Sequence, residues 1–134
     1  MLTGADLEGL AAAARDASTR AYSPYSRFPV GAALRSADGR TFTGCNVENA
    51  SYGLSVCAER NAIFNAVGAG ARGVRTLVIY TPTEIPVTPC GACRQVIAEF
   101  GRNAVVVCCC AGDQRLTFEA SELLPHGFTL GTAP

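Results

Sequence analysis

The sequence predicts an α/β fold of three layers, α/β/α, with helices on both faces of a mixed five-stranded sheet. Three observations predict it. Helical apolar patterns alternate with β-rich runs along the chain. The runs over 74–81 and 104–110 are apolar almost throughout, as expected of strands buried on both faces. Strand–helix–strand succession favours parallel neighbours, whereas Asp38-Gly39 signals an antiparallel hairpin, so the sheet is expected to mix the two.

Each element has its own signal. Leu7, Leu10, Ala11 and Ala14 recur at helical spacing and predict a first helix over 3–22, capped by Thr3, with Asp6 and Glu8 near its N-terminal end. Pro24 and its neighbours break it. Strands are expected over 30–35 and 40–47 around the Asp38-Gly39 turn. A second helix over 55–67 ends at Gly68 and Gly70. The third strand, 74–81, leads into a loop with three prolines. A third helix over 91–100 closes at Gly101, followed by strands over 104–110 and 115–118 and a short helix over 119–124.

The totals narrow the function. At 134 residues the chain reads as one domain, 1–134, long enough to bury a core without disulfides. Lys and Arg number 11, as do Asp and Glu, so the net charge is zero and no basic stripe is visible. This disfavours a nucleic-acid partner and suits a small neutral ligand. The apolar runs are far too short to span a membrane. Seven cysteines without an export signal point to reduced thiols or a metal, and to a cytoplasmic location.

Three of those cysteines carry chemistry. Cys57 is expected in the first turn of the second helix, inside Cys57-Ala58-Glu59-Arg60, and Cys90 and Cys93 open the third helix in Pro89-Cys90-Gly91-Ala92-Cys93. Both helix starts follow a strand and a loop, so both can lie at one edge of the sheet. Helix N-termini lower thiol pKa, and three thiolates with one open position make a catalytic zinc site, with one Zn2+ per chain. Glu59, two residues beyond Cys57, can act as general acid and base on a water held there. Three thiolates on Zn2+ leave a formal charge of about −1. Arg60 is therefore expected to donate to a thiolate and offset it, with Arg94 as a second candidate.

Taken alone, Cys90-x-x-Cys93 fits a redox pair or a structural zinc clip equally well. A redox pair would need neither Cys57 nor Glu59, and a structural zinc needs a fourth protein ligand. His126 reads as a surface or packing residue. Cys108, Cys109 and Cys110 read as small buried hydrophobes, because strand alternation sends neighbours to opposite faces.

The Cys57-Ala58-Glu59 and Pro89-Cys90-Gly91-Ala92-Cys93 segments resemble the all-cysteine form of the zinc deaminases, which use the glutamate as acid and base. Residues 25–33, 44–53 and 89–100 and the late Glu122-Leu123-Leu124-Pro125 resemble the small free-nucleoside cytidine deaminases. The resemblance implies roles residue by residue. Asn46 and Glu48 resemble the pair that hydrogen-bonds the ribose hydroxyls. Phe28 resembles the aromatic that packs on the pyrimidine, Ala58 offers backbone groups to the base edge, and Tyr25 and Phe128 resemble residues that reach a neighbouring subunit's site. The family implies a homotetramer with shared active sites and the deamination of cytidine and 2′-deoxycytidine in pyrimidine salvage. Deamination of a related cytosine nucleoside such as blasticidin S is the alternative; a polynucleotide deaminase and a non-enzymatic zinc or redox module are further rivals.

Overall fold

In chain order, the computed structural model, which describes residues 2–131, runs α1 (Gly4–Ser18), β1 (Gly31–Ser36), β2 (Thr41–Cys45), a single 3-10 turn (Tyr52–Leu54), α2 (Ala58–Gly68), β3 (Val74–Tyr80), α3 (Gly91–Phe100), β4 (Val105–Cys109), β5 (Leu116–Glu119) and α4 (Ala120–Leu123). The five strands form one sheet in the order β2-β1-β3-β4-β5. Only β3 and β4 pair in parallel; every other pair is antiparallel. The mixed five-stranded sheet and the helix order follow the sequence expectation.

Strand alternation builds two cores. Ala32, Leu34, Leu77, Ile79, Val106 and Cys108 face α2 and α3. Ala33, Val78, Tyr80, Val107 and Cys109 face the other way, onto Leu10 and Ala14 of α1. Adjacent residues of β3 and β4 thus serve opposite layers, which is why those runs are apolar almost throughout, with Arg75 exposed near the start of β3. Cys108, Cys109 and Cys110 are all buried, and His126 is exposed, as read from the sequence.

Several boundaries move, each for a local reason. The first helix stops at Ser18, not at 22, because Ser18 and Thr19 turn their hydroxyls back onto the Arg15 and Asp16 carbonyls. Its start is capped by Thr3 as expected, with Asp6 completing a reciprocal capping box. The second strand ends at Cys45 rather than 47. There the chain leaves the sheet: Tyr22 donates its N–H to the Asn46 carbonyl, Glu48 donates to the Tyr22 carbonyl, and Val47 pairs with Val56. That last pairing holds residues 55–57 extended, so the second helix begins at Ala58 instead of 55.

Two glycines let helices sit directly on the sheet. A Cβ on Gly31 would lie 1.8 Å from the Ala14 carbonyl oxygen of α1, and one on Gly44 would lie 2.4 Å from the Ala62 amide nitrogen of α2. Gly44→Ala is therefore expected to destabilise the chain by about 1–3 kcal/mol and to displace α2. Gly9→Ala, at an exposed position in α1 with open space around it, is expected to stabilise by about 0.5–1 kcal/mol. Urea-unfolding midpoints of the two variants measure both effects.

Candidate active site

Topology brings the chemistry-bearing residues together. β2 and β3 are each antiparallel to β1, so they run in the same direction and deliver the chain to the same edge of the sheet. The helices that follow, α2 and α3, both begin there. Cys57 is the N-cap of α2, extended at ψ 157°, one position ahead of the expected first turn. Cys90 is the N-cap of α3, where its Sγ accepts the Cys93 N–H at 3.4 Å.

The Sγ atoms of Cys57, Cys90 and Cys93 all lie within 4.8 Å of one another. Cys57 and Cys90 are 3.8 Å apart. A tetrahedral zinc about 2.3 Å from each sulfur holds its sulfurs about 3.8 Å apart, so this spacing fits the metal. Among the described residues no fourth His, Cys, Asp or Glu joins the cluster. The donor set is thus that of a zinc site with one position left for a small molecule.

Electrostatics follow from burial and from Arg60. Within the thiol cluster, the hydrogen bond shared with Cys93 draws the Cys57 thiol strongly down, with Arg60 adding to the effect. The same hydrogen bond, with burial and the charge of Glu59, pushes Cys93 up. Arg60 donates through its terminal nitrogen to Cys57 Sγ at 3.4 Å. Its buried Nε has no acceptor among the described residues. Arg94, the second candidate, is not there: its guanidinium donates to the Pro89 and Leu123 carbonyls and to the Thr88 hydroxyl, bracing the loop before α3. Glu59 is 5% exposed. Burial pushes its carboxyl up, and the charge on Cys57 adds to that.

Cys57, Ala58 and Glu59 line one cavity of about 350 Å3 together with Phe28, Asn46 and Glu48. A cleft of about 520 Å3 beside α1 is larger, but it is lined by Glu8, Arg15, Tyr80 and Arg115 and holds none of the clustered cysteines. Asn46 accepts the Val30 N–H at 2.8 Å and donates to the Phe28 carbonyl at 2.8 Å. Glu48 accepts the Tyr25 and Ser26 N–H groups at 3.0 and 3.1 Å on one oxygen and the Ser26 hydroxyl on the other. These bonds, the Ser26 hydroxyl first, hold its carboxyl below the usual range. Tyr25 lies alongside, in a cleft that shares Ser26 and Glu48, with its ring edge-to-face on Tyr52 at 6.1 Å. Phe128, 70% exposed, is not brought to this cavity within the chain.

The cavity also includes Ser26, Thr81, Val87 and Thr88, which the sequence reading passed over. Thr81 was within reach: it follows the carboxyl end of β3, which pairs in parallel with β4, where open α/β sheets place ligands.

An α/β/α frame with two helix N-termini converging on three cysteines and a buried glutamate defines a zinc hydrolase type of site. The chain belongs to a known family of this type: the cytidine and deoxycytidylate deaminase zinc-binding region matches residues 5–109. It is 49% identical over 126 residues to a cytidine deaminase of Sporosarcina psychrophila, covering 92% of each chain. It is 52% identical over 112 residues to one of Halalkalibacterium halodurans, covering 81% of this chain and 83% of that one. In structure it resembles the cytidine deaminase of Burkholderia pseudomallei, with a TM-score of 0.87 and 47% identity over 90% of this chain and 98% of that one.

Arg60→Ala is expected to weaken zinc binding by about 10- to 100-fold while the chain stays folded. Competition with a chromophoric chelator measures the affinity; an unchanged value removes Arg60 from this role.

Proposed function

We propose that the chain hydrolyses cytidine and 2′-deoxycytidine to uridine and 2′-deoxyuridine with release of ammonia, serving pyrimidine salvage. The observation that carries this reading is one cavity whose lining brings together a buried glutamate, a cysteine of the metal-binding cluster, an aromatic ring and an amide–carboxylate pair. The curated relatives at 49% and 52% identity bear the same activity in their names. We also take residues 1–134 to act as one domain, which the single sheet with a core on each face supports.

Cys57, Cys90 and Cys93 hold the zinc. When bound, it supplies a Lewis acid that makes a water nucleophilic near neutral pH. The remaining steps belong to the protein. Glu59 takes a proton from the attacking water and places it on the ring nitrogen N3. Addition of the hydroxide at C4 follows. Glu59 then takes the remaining proton from the new C4 hydroxyl and passes it to the amine, so that the C4 carbonyl forms as the C4–N bond breaks and ammonia leaves, N3 keeping its proton. Ala58, at the first position of α2, has an N–H without an intrahelical partner and offers it to the base edge. Phe28 packs on the pyrimidine.

Hydrogen-bond counting supports the sugar site. A carboxylate has about four acceptor positions. Tyr25 and Ser26 occupy three on Glu48. Asn46 has one N–H and one carbonyl lone pair uncommitted after bonding to segment 28–30. One donor and two acceptors therefore remain, a set that matches two hydroxyl groups, each of which donates and accepts.

Tyr25 and Phe128 are exposed, at 50% and 70%. This supports a homotetramer in which they complete a neighbour's site. No helix among the described residues is long and apolar enough to cross a membrane, and the zero net charge supports a free nucleoside over a nucleic acid. We place the enzyme in the cytoplasm.

Glu59→Gln should retain about one zinc per chain and lose about 10^2- to 10^4-fold or more in kcat. Ultraviolet assays of cytidine loss, run beside metal analysis, check this; full activity in the variant removes Glu59 from its role. The same assay on the parent chain, with and without a chelator and with blasticidin S as competing substrate, tests the reaction. Turnover that survives complete zinc removal, or that favours blasticidin S, contradicts the proposal.

A further inference from the structure

We infer that Ser26 is a positioning residue that locks the sugar-facing carboxylate to the base-facing aromatic ring, and so sets substrate affinity without entering the proton chemistry. The inference rests on the nucleoside reading above.

Ser26 is the only side chain described here that bonds to both sides. Its Oγ donates to Glu48 Oε2 and accepts the Phe28 N–H at 3.1 Å. Its own N–H, with that of Tyr25, fixes Glu48 Oε1. On its far side Phe28 is held by Asn46, which accepts the Val30 N–H and donates to the Phe28 carbonyl. Phe28 is therefore gripped at both its backbone groups, at its N–H by Ser26 and at its carbonyl by Asn46.

The backbone between them supports this role. Arg27 has φ 55°, in the left-handed region that residues with a Cβ avoid. Its N–H bonds to the Ser23 carbonyl at 2.9 Å. Such a conformation persists where the surrounding bonds over-determine it. Here the bonds on either side are those of Ser26. The turn lifts Phe28 into the cavity, and Ser26 keeps the turn closed.

Ser26 fills no core volume, being exposed apart from these contacts, so its hydrogen bonds are its contribution. Losing the hydroxyl leaves the Phe28 N–H unpartnered and frees Glu48 Oε2 to turn. It leaves Glu59 and the cysteine cluster untouched, since Ser26 makes no hydrogen bond to any of them among the described residues. Ground-state and transition-state binding then fall together, which raises KM and spares kcat.

The test uses the zinc-loaded enzyme with cytidine. Ser26→Ala is expected to raise KM about tenfold, the size of one lost hydrogen bond. In that variant kcat is expected to stay within about twofold of the parent, with unchanged zinc content. Ser26→Thr, which keeps the hydroxyl, should return KM to within about threefold of the parent. In a Glu48→Gln background the added effect of Ser26→Ala should be clearly smaller than in the parent, as expected of coupled residues. An unchanged KM overturns the inference. So does a fall in kcat at constant KM, a threonine variant no better than alanine, full additivity with Glu48→Gln, or loss of folding in Ser26→Ala. A parent enzyme that does not turn over cytidine overturns the nucleoside reading and this inference with it. An active parent with an unaffected Ser26→Ala overturns this inference alone.

Discussion

The convergence of two helix N-termini on one point is the constraint on which the site depends. Neither α2 nor α3 alone holds three sulfurs. Cys57 caps one helix and Cys90 caps the other, and Cys93 sits one turn into the second. Strand direction makes them meet: because β1 runs against both β2 and β3, the helices that follow β2 and β3 start on the same side. The close seat of α2 on Gly44 and of α1 on Gly31 then fixes the helices against the sheet without intervening side chains. Helix ends present unpaired N–H groups and partial positive charge, and both favour thiolates.

That convergence gathers negative charge, and the surroundings answer it unevenly. Three thiolates exceed the charge of a divalent metal by about one, and Glu59 adds another when ionised. Arg60 is the cation in contact with the sulfurs, through Cys57. Arg94, next to Cys93 in sequence, is instead spent on tying the loop before α3, at Thr88 and Pro89, to Leu123 of α4. One arginine contacts the cysteine cluster while the other holds the backbone that carries Cys90. The difference lies in which face of its helix each residue occupies.

Much of this was legible in the sequence, because each signal was local. The apolar runs of β3 and β4, the capping threonine of α1 and the Cys-x-x-Cys at the start of α3 read correctly from composition and spacing. The first boundary of α2 did not, because the Val47–Val56 pairing that holds 55–57 extended joins distant residues. The end of α1 was overrun because Ala17 and Ala21 continue an apolar stripe that Ser18 and Thr19 interrupt through their hydroxyls. At the site, Cys57, Glu59 and Arg60 were readable from their adjacency. The substrate end came from resemblance at Phe28, Asn46 and Glu48, and the bonds that tie those residues to one another are tertiary. Ser26 carries no signal in sequence: a serine after a proline and a tyrosine reads as a turn residue until its partners are seen.

X-ray absorption at the zinc edge tests the central claim, an open three-sulfur metal site, most directly. The predicted first shell is three sulfurs at about 2.3 Å and one lighter atom at about 2.0 Å, exchangeable with small ligands. A shell of four sulfurs, or one with two sulfurs and protein nitrogen, would contradict the account.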